Sequence, residues 1–72
     1  MTFTERLRFC RKAKNVSQKQ LAIDTGLSLR AFQYYESGKQ VPSMNVLIKL
    51  ADYFDVSVDY LVGRTDKPNL NR

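Results

Sequence analysis

The chain has 72 residues, with 12 lysines and arginines against seven aspartates and glutamates, which gives a net charge of +5. A chain of this length forms one small domain with a modest core and has no room for a deep cleft between two lobes. Its single cysteine and lack of histidine exclude disulfide pairing within the chain, zinc sites built from cysteine and histidine, and catalytic triads that use imidazole.

The amino-terminal residues carry charge throughout and contain no long apolar run, which argues against a signal peptide and a membrane span. We therefore expect a cytoplasmic protein. Residues 1–20 hold six cations and one anion, whereas the remaining residues hold six of each. A basic end on a small domain is the electrostatic footprint of a nucleic-acid binder, although an ordinary solvated basic helix has the same charge.

Apolar side chains that recur every three or four residues predict a first amphipathic helix from about Thr4 to Lys14. Thr2 and Glu5 have the spacing of a capping box at its start. Asn15 tolerates a left-handed backbone better than most residues do, so we expect the helix to stop there.

Two short helices follow, joined by a tight turn that contains glycine. The second helix is predicted over residues 17–25, with a capping box completed by Gln20 and an end at Gly26. The third is predicted over residues 28–37 and is capped by Ser28. This is the layout of a helix-turn-helix, in which the second helix of the pair enters the major groove of DNA, although many small bundles share the pattern.

Pro42 and Ser43 mark the start of a fourth helix, whose apolar stripe consists of Met44, Leu47, Leu50, Ala51 and Phe54. A fifth short helix is predicted over residues 57–62. The polar tail, residues 64–72, is expected to be disordered, and the alternatives are that it docks on DNA or extends a dimer contact. No segment alternates as a strand would. The sequence therefore predicts an all-α fold of five short helices in a compact bundle.

Many separated positions agree with the pattern of one protein family. They are Arg11, Val16, Ser17, Gln18, Leu21, Ala22, Gly26, Leu27, Ser28, Phe32, Tyr35, Glu36, Ser37, Gly38, Lys39, Pro42, Ser43, Leu47, Leu50, Ala51, Phe54, Asp55, Val56 and Ser57. Over residues 5–63 the chain resembles the Cro/C1-type helix-turn-helix domains of the phage-repressor and xenobiotic-response-element class. The resemblance implies a phage-repressor-like fold whose helix-turn-helix spans about residues 17–37.

The resemblance also implies which side chains meet DNA. The base-reading residues are on the outer face of the third helix, and they are Leu29, Arg30, Gln33 and Tyr34. The phosphate-contacting residues that the resemblance implies are Gln18, Ser37, Lys39 and Gln40. Ser17, Lys19 and Ser28 are further candidates, and an ordinary solvated charge is the alternative for Lys19. Arginine can form two hydrogen bonds to guanine, and glutamine can form two to adenine. A phosphate contact by Arg30 or by the Tyr34 hydroxyl is the alternative for those two residues.

The resemblance further implies a structural pair, Arg11 with Glu36, that ties the first helix to the end of the third. An arginine fork matches a carboxylate in geometry, so such a pair would hold the reading helix at a fixed angle. Val58 and Tyr60 are the candidate dimer contacts, with core packing as the alternative for Val58. Cys10 lies on the apolar face of the first helix and is expected to be a small buried hydrophobe.

These features predict a sequence-specific regulator of transcription that binds double-stranded DNA. We expect a repressor that binds a two-fold symmetric operator as a homodimer, and the alternative is an antitoxin-like or scaffold protein that acts through a protein partner. No effector domain is predicted after Gly63, so we expect regulation by protein concentration or by a partner such as an antirepressor. A toxin is the candidate partner under the antitoxin-like alternative. No enzyme activity is expected, since the chain has no histidine, its single cysteine is expected to be buried and its carboxylates form no recognisable acid–base pair. No metal or cofactor is expected either.

Overall fold

The computed structural model describes residues 1–68, and in that range the chain folds as five α-helices without a strand. The helices are α1 (Phe3–Ala13), α2 (Gln18–Thr25), α3 (Leu29–Ser37), α4 (Met44–Phe54) and α5 (Val58–Leu61). The all-α bundle of five short helices predicted from the sequence is confirmed.

Each helix begins after a hydroxyl residue whose side-chain oxygen accepts a hydrogen bond from the third backbone N–H along the chain. These caps are Thr2, Ser17, Ser28, Ser43 and Ser57. Such a cap satisfies one N–H that the helix leaves without a partner, and its removal typically costs about 1 kcal/mol. The repeated use of this device explains how helices of 4 to 11 residues remain ordered in so short a chain.

The two predicted capping boxes have different outcomes. The first is confirmed, because Glu5 accepts a hydrogen bond from the Thr2 backbone N–H at 2.9 Å, and this contact lowers the pKa of the Glu5 carboxyl. In the second, the Ser17 cap forms, but the predicted hydrogen bond from Gln20 back to the cap does not. Gln20 turns its side-chain amide to Asp24, 2.7 Å away and one helical turn onward, rather than back to Ser17.

Left-handed residues end most of the helices. Asn15 has a φ of 59°, as predicted, and Gly26 and Gly38 have φ values of 72° and 82°. Glycine is favoured at such positions because it has no β-carbon to clash with the backbone. Asp55, with a φ of 57°, ends α4 in the same way.

The core receives one fully buried side chain from every helix. These are Leu7, Leu21, Phe32, Leu50 and Leu61. Burial of a side chain of this size stabilises the fold by about 1.5–3 kcal/mol relative to an exposed one. Met44 corrects the predicted stripe on α4: it is 61% exposed, because a helical face is buried only where another element lies against it.

The expectation of a disordered tail is wrong for residues 64–68. There the guanidinium of Arg6 donates a hydrogen bond to the carbonyl of Thr65 at 3.3 Å, and the Ser57 N–H donates to the carbonyl of Pro68 at 3.2 Å. The remaining tail positions, 69–72, lie outside the described residues. Within residues 1–68, no helix combines the length and the apolar character needed to cross a membrane.

Candidate nucleic-acid interface

Helix α3 packs against the rest of the protein on one face and is exposed to solvent on the other. Its inner face buries Phe32 and Tyr35, which belong to the same core cluster as Leu7 of α1 and Leu21 of α2. The turn that precedes it is closed by a hydrogen bond from the Leu27 N–H to the carbonyl of Ala22 at 3.0 Å. The opposite face of α3 is therefore presented outward by a packed scaffold.

The outward face carries the four residues assigned to base reading. Arg30 and Gln33 are exposed, Leu29 is 39% exposed, and Tyr34 is half-buried. Among the described residues, neither the Arg30 guanidinium nor the Gln33 amide has a hydrogen-bond or ion-pair partner. Both groups are thus able to bind a base edge without first breaking a contact inside the protein.

The starts of α2 and α3 suit phosphate groups. The Ser17 and Ser28 hydroxyl oxygens accept hydrogen bonds from the backbone N–H groups of Gln20 and Ala31, each at 3.0 Å. Each hydroxyl keeps its own hydrogen for donation to another acceptor. Helix N-termini also carry a partial positive charge that favours anions, and Lys19 is exposed on the first turn of α2.

The loop after α3 is shaped by a single backbone oxygen. The carbonyl of Tyr34 accepts hydrogen bonds from the N–H groups of Lys39 and Gln40, at 3.0 and 3.4 Å, and from the Ser37 hydroxyl at 3.2 Å. Since the Ser37 hydroxyl hydrogen is used inside the protein, the side chains of Lys39 and Gln40 are the free donors of this loop. The ammonium of Lys39 lies 5.6 Å from the centre of the Tyr34 ring.

Behind the reading face, a buried carboxylate joins α3 to α1. Glu36 is 4% exposed, and its Oε2 lies 2.6 Å from Nε of Arg11. The Nη2 atom of Arg11 lies 3.4 Å from Oε1, while Nη1 donates a hydrogen bond to the carbonyl of Val16. The structure therefore brings Arg11 and Glu36 together in a two-pronged contact.

Two further residues complete what we call the Glu36 cluster, which consists of Arg8, Arg11, Gln18 and Glu36. The Gln18 side-chain amide donates a hydrogen bond to Oε1 of Glu36 at 2.9 Å, so the start of α2 is tied to the end of α3. Arg8 donates to the backbone carbonyl of Glu36 at 3.0 Å. Sequence reasoning missed Arg8, although its position three residues before Arg11 places both on one side of α1.

The candidate dimer residues are only partly accessible. Val58 and Tyr60 are both half-buried and pack against the core. The guanidinium of Arg6 lies 3.9 Å from the centre of the Tyr60 ring, so one face of that ring is already covered inside the chain. These two residues are separate from the DNA-contact candidates and belong to the last helix.

A cavity of about 270 Å³ lies between α1, the end of α4 and α5. None of the residues assigned to DNA contact lines it. Cys10 is one of its lining residues and is 6% exposed, and burial raises the pKa of its thiol against a smaller opposing effect of Arg6. Over residues 1–68, no group of three potential metal ligands is present.

Comparison with known proteins yields one consistent group. A family model described as helix-turn-helix matches residues 7–61. The chain is 45% identical over 64 residues to the CTXphi transcriptional repressor RstR of Vibrio cholerae, a match that covers 89% of this chain and 57% of that protein. It is 39% identical over 67 residues to the HTH-type transcriptional regulator YobD of Bacillus subtilis, covering 93% of this chain and 60% of YobD. The chain thus spans somewhat more than half the length of these relatives.

A solved structure agrees with these sequence matches. The crystal structure of a transcriptional regulator from Listeria innocua matches this fold with a TM-score of 0.81 and 34% sequence identity. The match covers 99% of this chain and 65% of that one.

Proposed function

The chain belongs to the Cro/C1-type helix-turn-helix family of DNA-binding transcriptional regulators, and we propose that it represses transcription by binding a two-fold symmetric operator as a homodimer. Membership in this family confirms the resemblance inferred from the sequence. It also assigns the chain to a class of non-enzymatic DNA-binding proteins.

The observation that carries the proposal is the contrast between the two faces of α3. Phe32 and Tyr35 are buried, whereas Arg30 and Gln33 are exposed and have no partner among the described residues. An α-helix fits the major groove of B-form DNA, and each two-pronged contact to a base contributes about 1–3 kcal/mol of discrimination. We assign Leu29, at the start of the helix and 39% exposed, to an apolar contact with a thymine methyl group.

Phosphate contacts on both sides of α3 would hold it in register with the groove. On one side we assign Ser17, Gln18, Lys19 and Ser28, and on the other Lys39 and Gln40. Ser37, also predicted on that side, would first have to release its hydrogen bond to the Tyr34 carbonyl. Contacts of this kind position a protein on DNA without reading sequence. Gln18 has a second task, because its amide also holds Glu36.

A single reading helix contacts only a few base pairs, which is the physical reason for proposing two copies. Dimers of helix-turn-helix proteins bind half-sites whose centres are about 34 Å apart, one turn of DNA. We assign the contact between copies to the face of α5 that includes Val58 and Tyr60. Repression rather than activation is supported by the name of RstR, which is a transcriptional repressor.

Selection from a library of randomised duplexes tests the proposal. We expect wild-type protein to enrich a two-fold symmetric site, and the Arg30→Ala, Gln33→Ala double variant to lose that enrichment. Lys49→Ala is the matched control, since Lys49 is an exposed helical cation outside the site. Enrichment of no sequence by the wild-type protein, or of the same site by the double variant, would contradict the proposal and direct the search to a protein partner.

A further inference from the structure

Residues 64–68, which we call the strap, leave α5 and run back across α1. The chain turns at Gly63, whose φ of 86° is left-handed and where an added β-carbon would collide with the backbone carbonyl of Met1. Beyond this turn, the Thr65 carbonyl and the Asp66 carboxylate meet Arg6, and the Pro68 carbonyl meets the Ser57 N–H. The strap is therefore attached to the helices at several points along its length.

Arg6 is the most heavily engaged of these attachment points. It is 3% exposed, with its guanidinium stacked on the Tyr60 ring, and its Nη2 atom lies 3.1 Å from Oδ1 of Asp66. Its Nη1 atom donates to Thr65, whereas Nε has no hydrogen-bond partner within the described residues. A buried cation is costly unless it is paired and hydrogen-bonded. The polar partners of this guanidinium both belong to the strap, so the strap is what makes its burial tolerable.

The strap also forms part of one wall of the open cavity of about 270 Å³. Pro68 forms part of its wall, opposite side chains of α1 and α5 that include Phe9, Cys10 and Tyr60. We propose that the strap is a latched cover over Cys10: Arg6 is the latch, and local opening of residues 64–68 widens the cavity and exposes Cys10 while the five helices stay folded.

Local opening is favoured by how little of the strap is buried. The Asp66 side chain is 96% exposed, and Lys67 and Pro68 are exposed as well. An ion pair with a solvated partner contributes little, and segments with few buried contacts open at lower free energy than the core of the same protein does. We therefore expect the contacts of Arg6 to order the strap without preventing its local opening.

The chain contains its own probe, because Cys10 is its single cysteine. We would measure the rate at which a maleimide modifies Cys10, together with the hydrogen-exchange rate of the Ser57 amide by NMR. In Asp66→Asn both rates are expected to rise by about twofold to fivefold, the range for loss of an exposed ion pair. The matched control is Asp52→Asn, the same chemical change at an exposed position of α4, and it is expected to change neither rate.

Arg6→Met tests the latch itself. Methionine fills a similar volume without charge or donors, and the Asp66 carboxylate that loses its partner is already solvated, so no buried charge is left unpaired. We expect faster Cys10 modification than in Asp66→Asn, and no further increase when the two changes are combined, because both act through one contact. If Arg6→Met does not fold, the Asp66→Asn measurement decides alone.

The urea dependence of the wild-type rate separates local opening from global unfolding. Opening of five residues exposes little surface, so Cys10 modification is expected to be nearly independent of urea at low concentration. A steep dependence throughout, or an Asp66→Asn rate equal to that of the wild type, would overturn the proposal. DNA binding is expected to change by no more than about twofold in Asp66→Asn, because Arg8 and Arg11, rather than Arg6, hold α3.

Discussion

The two sides of α3 are built in opposite ways. At its inner end the Glu36 carboxylate is buried and is met by Arg11 and by Gln18. On its outer face Arg30 and Gln33 are exposed and have no partner among the described residues. The internal hydrogen bonds therefore orient α3, and the groups proposed to contact DNA remain unpaired among the described residues. Different residues thus orient α3 and read bases. We expect a substitution in one group to impair its own function and to leave the other function intact.

The largest effect is expected from Glu36→Gln. The change leaves the Arg11 guanidinium without a counter-charge while its surroundings stay buried. Loss of one partner of a fully buried pair costs about 3–5 kcal/mol, and because the Arg11 side chain keeps 15% exposure we expect a loss of about 2–3 kcal/mol in the free energy of unfolding. Urea denaturation measures this. A loss below about 0.5 kcal/mol, the usual range for surface changes, would show that the cluster does not hold α3.

Arg30→Ala and Gln33→Ala should behave in the reverse way. Each removes an exposed side chain, so the free energy of unfolding is expected to stay within about 0.5 kcal/mol of the wild-type value. Binding to the selected operator is expected to weaken by about 1–3 kcal/mol for each change. Parallel urea titrations and fluorescence-anisotropy titrations separate the two effects, and a variant that lost stability as well as binding would refute the division of tasks.

A smaller and different signature is expected from Lys39→Ala. If Lys39 neutralises one phosphate, its removal lowers the slope of log affinity against log salt concentration by about 0.9. The preference among operator sequences should not change, because a phosphate contact carries no sequence information. An unchanged slope would place Lys39 away from the DNA backbone. Lys49→Ala, which removes a charge from α4, serves again as the control.

The smallest effect concerns a contact between α2 and α4, away from the reading face. The Tyr53 hydroxyl donates a hydrogen bond to Asp24 at 2.7 Å, and Gln20 donates to the same carboxylate. These bonds lower the pKa of Asp24 below its ordinary value of 3.8, whereas the bond to Asp24 raises the pKa of Tyr53 above 10.0.

The direction of these pKa shifts sets the pH dependence. A carboxyl with a lowered pKa contributes stability that is present above its ordinary pKa and is lost as the pH falls through the folded-state value. A tyrosine with a raised pKa contributes stability below its ordinary pKa that is lost as the pH rises through the folded-state value. Tyr53→Phe is therefore expected to lower the thermal midpoint slightly at pH 7 and less in strong acid. An equal decrease at both pH values would mean that the Asp24 carboxylate is not involved.

Local features of the sequence predicted most of the fold. Hydroxyl caps, apolar spacing and left-handed positions such as Asn15 act over three or four residues, so they are visible without tertiary information. The exposure of Met44 and the hydrogen-bond partner of Gln20 were not predictable in this way. A helical stripe does not reveal where its neighbours end, and the Gln20 amide had two partners within reach along its own helix.

The site was predicted unevenly for the same reason. The residues on the outer face of α3 follow from helical spacing, and the structure places them on one side of the helix. The resemblance to a known family supplied the pair of Arg11 with Glu36. Arg6 was missed, because nothing in its immediate sequence distinguishes a buried arginine from the solvated cations beside it. Its burial depends on Thr65 and Asp66, about 60 residues further along the chain.

The most direct test of the central claim is a scan of single base-pair changes through the selected operator, measured with the wild-type protein and with Arg30→Ala at one stated salt concentration. We predict that the variant loses preference at one base pair in each half-site and keeps it elsewhere, as expected when an exposed side chain reads a base from a helix that other residues hold in place. Uniform weakening on all duplexes, with every preference retained, would contradict the account, because it would make Arg30 a phosphate contact.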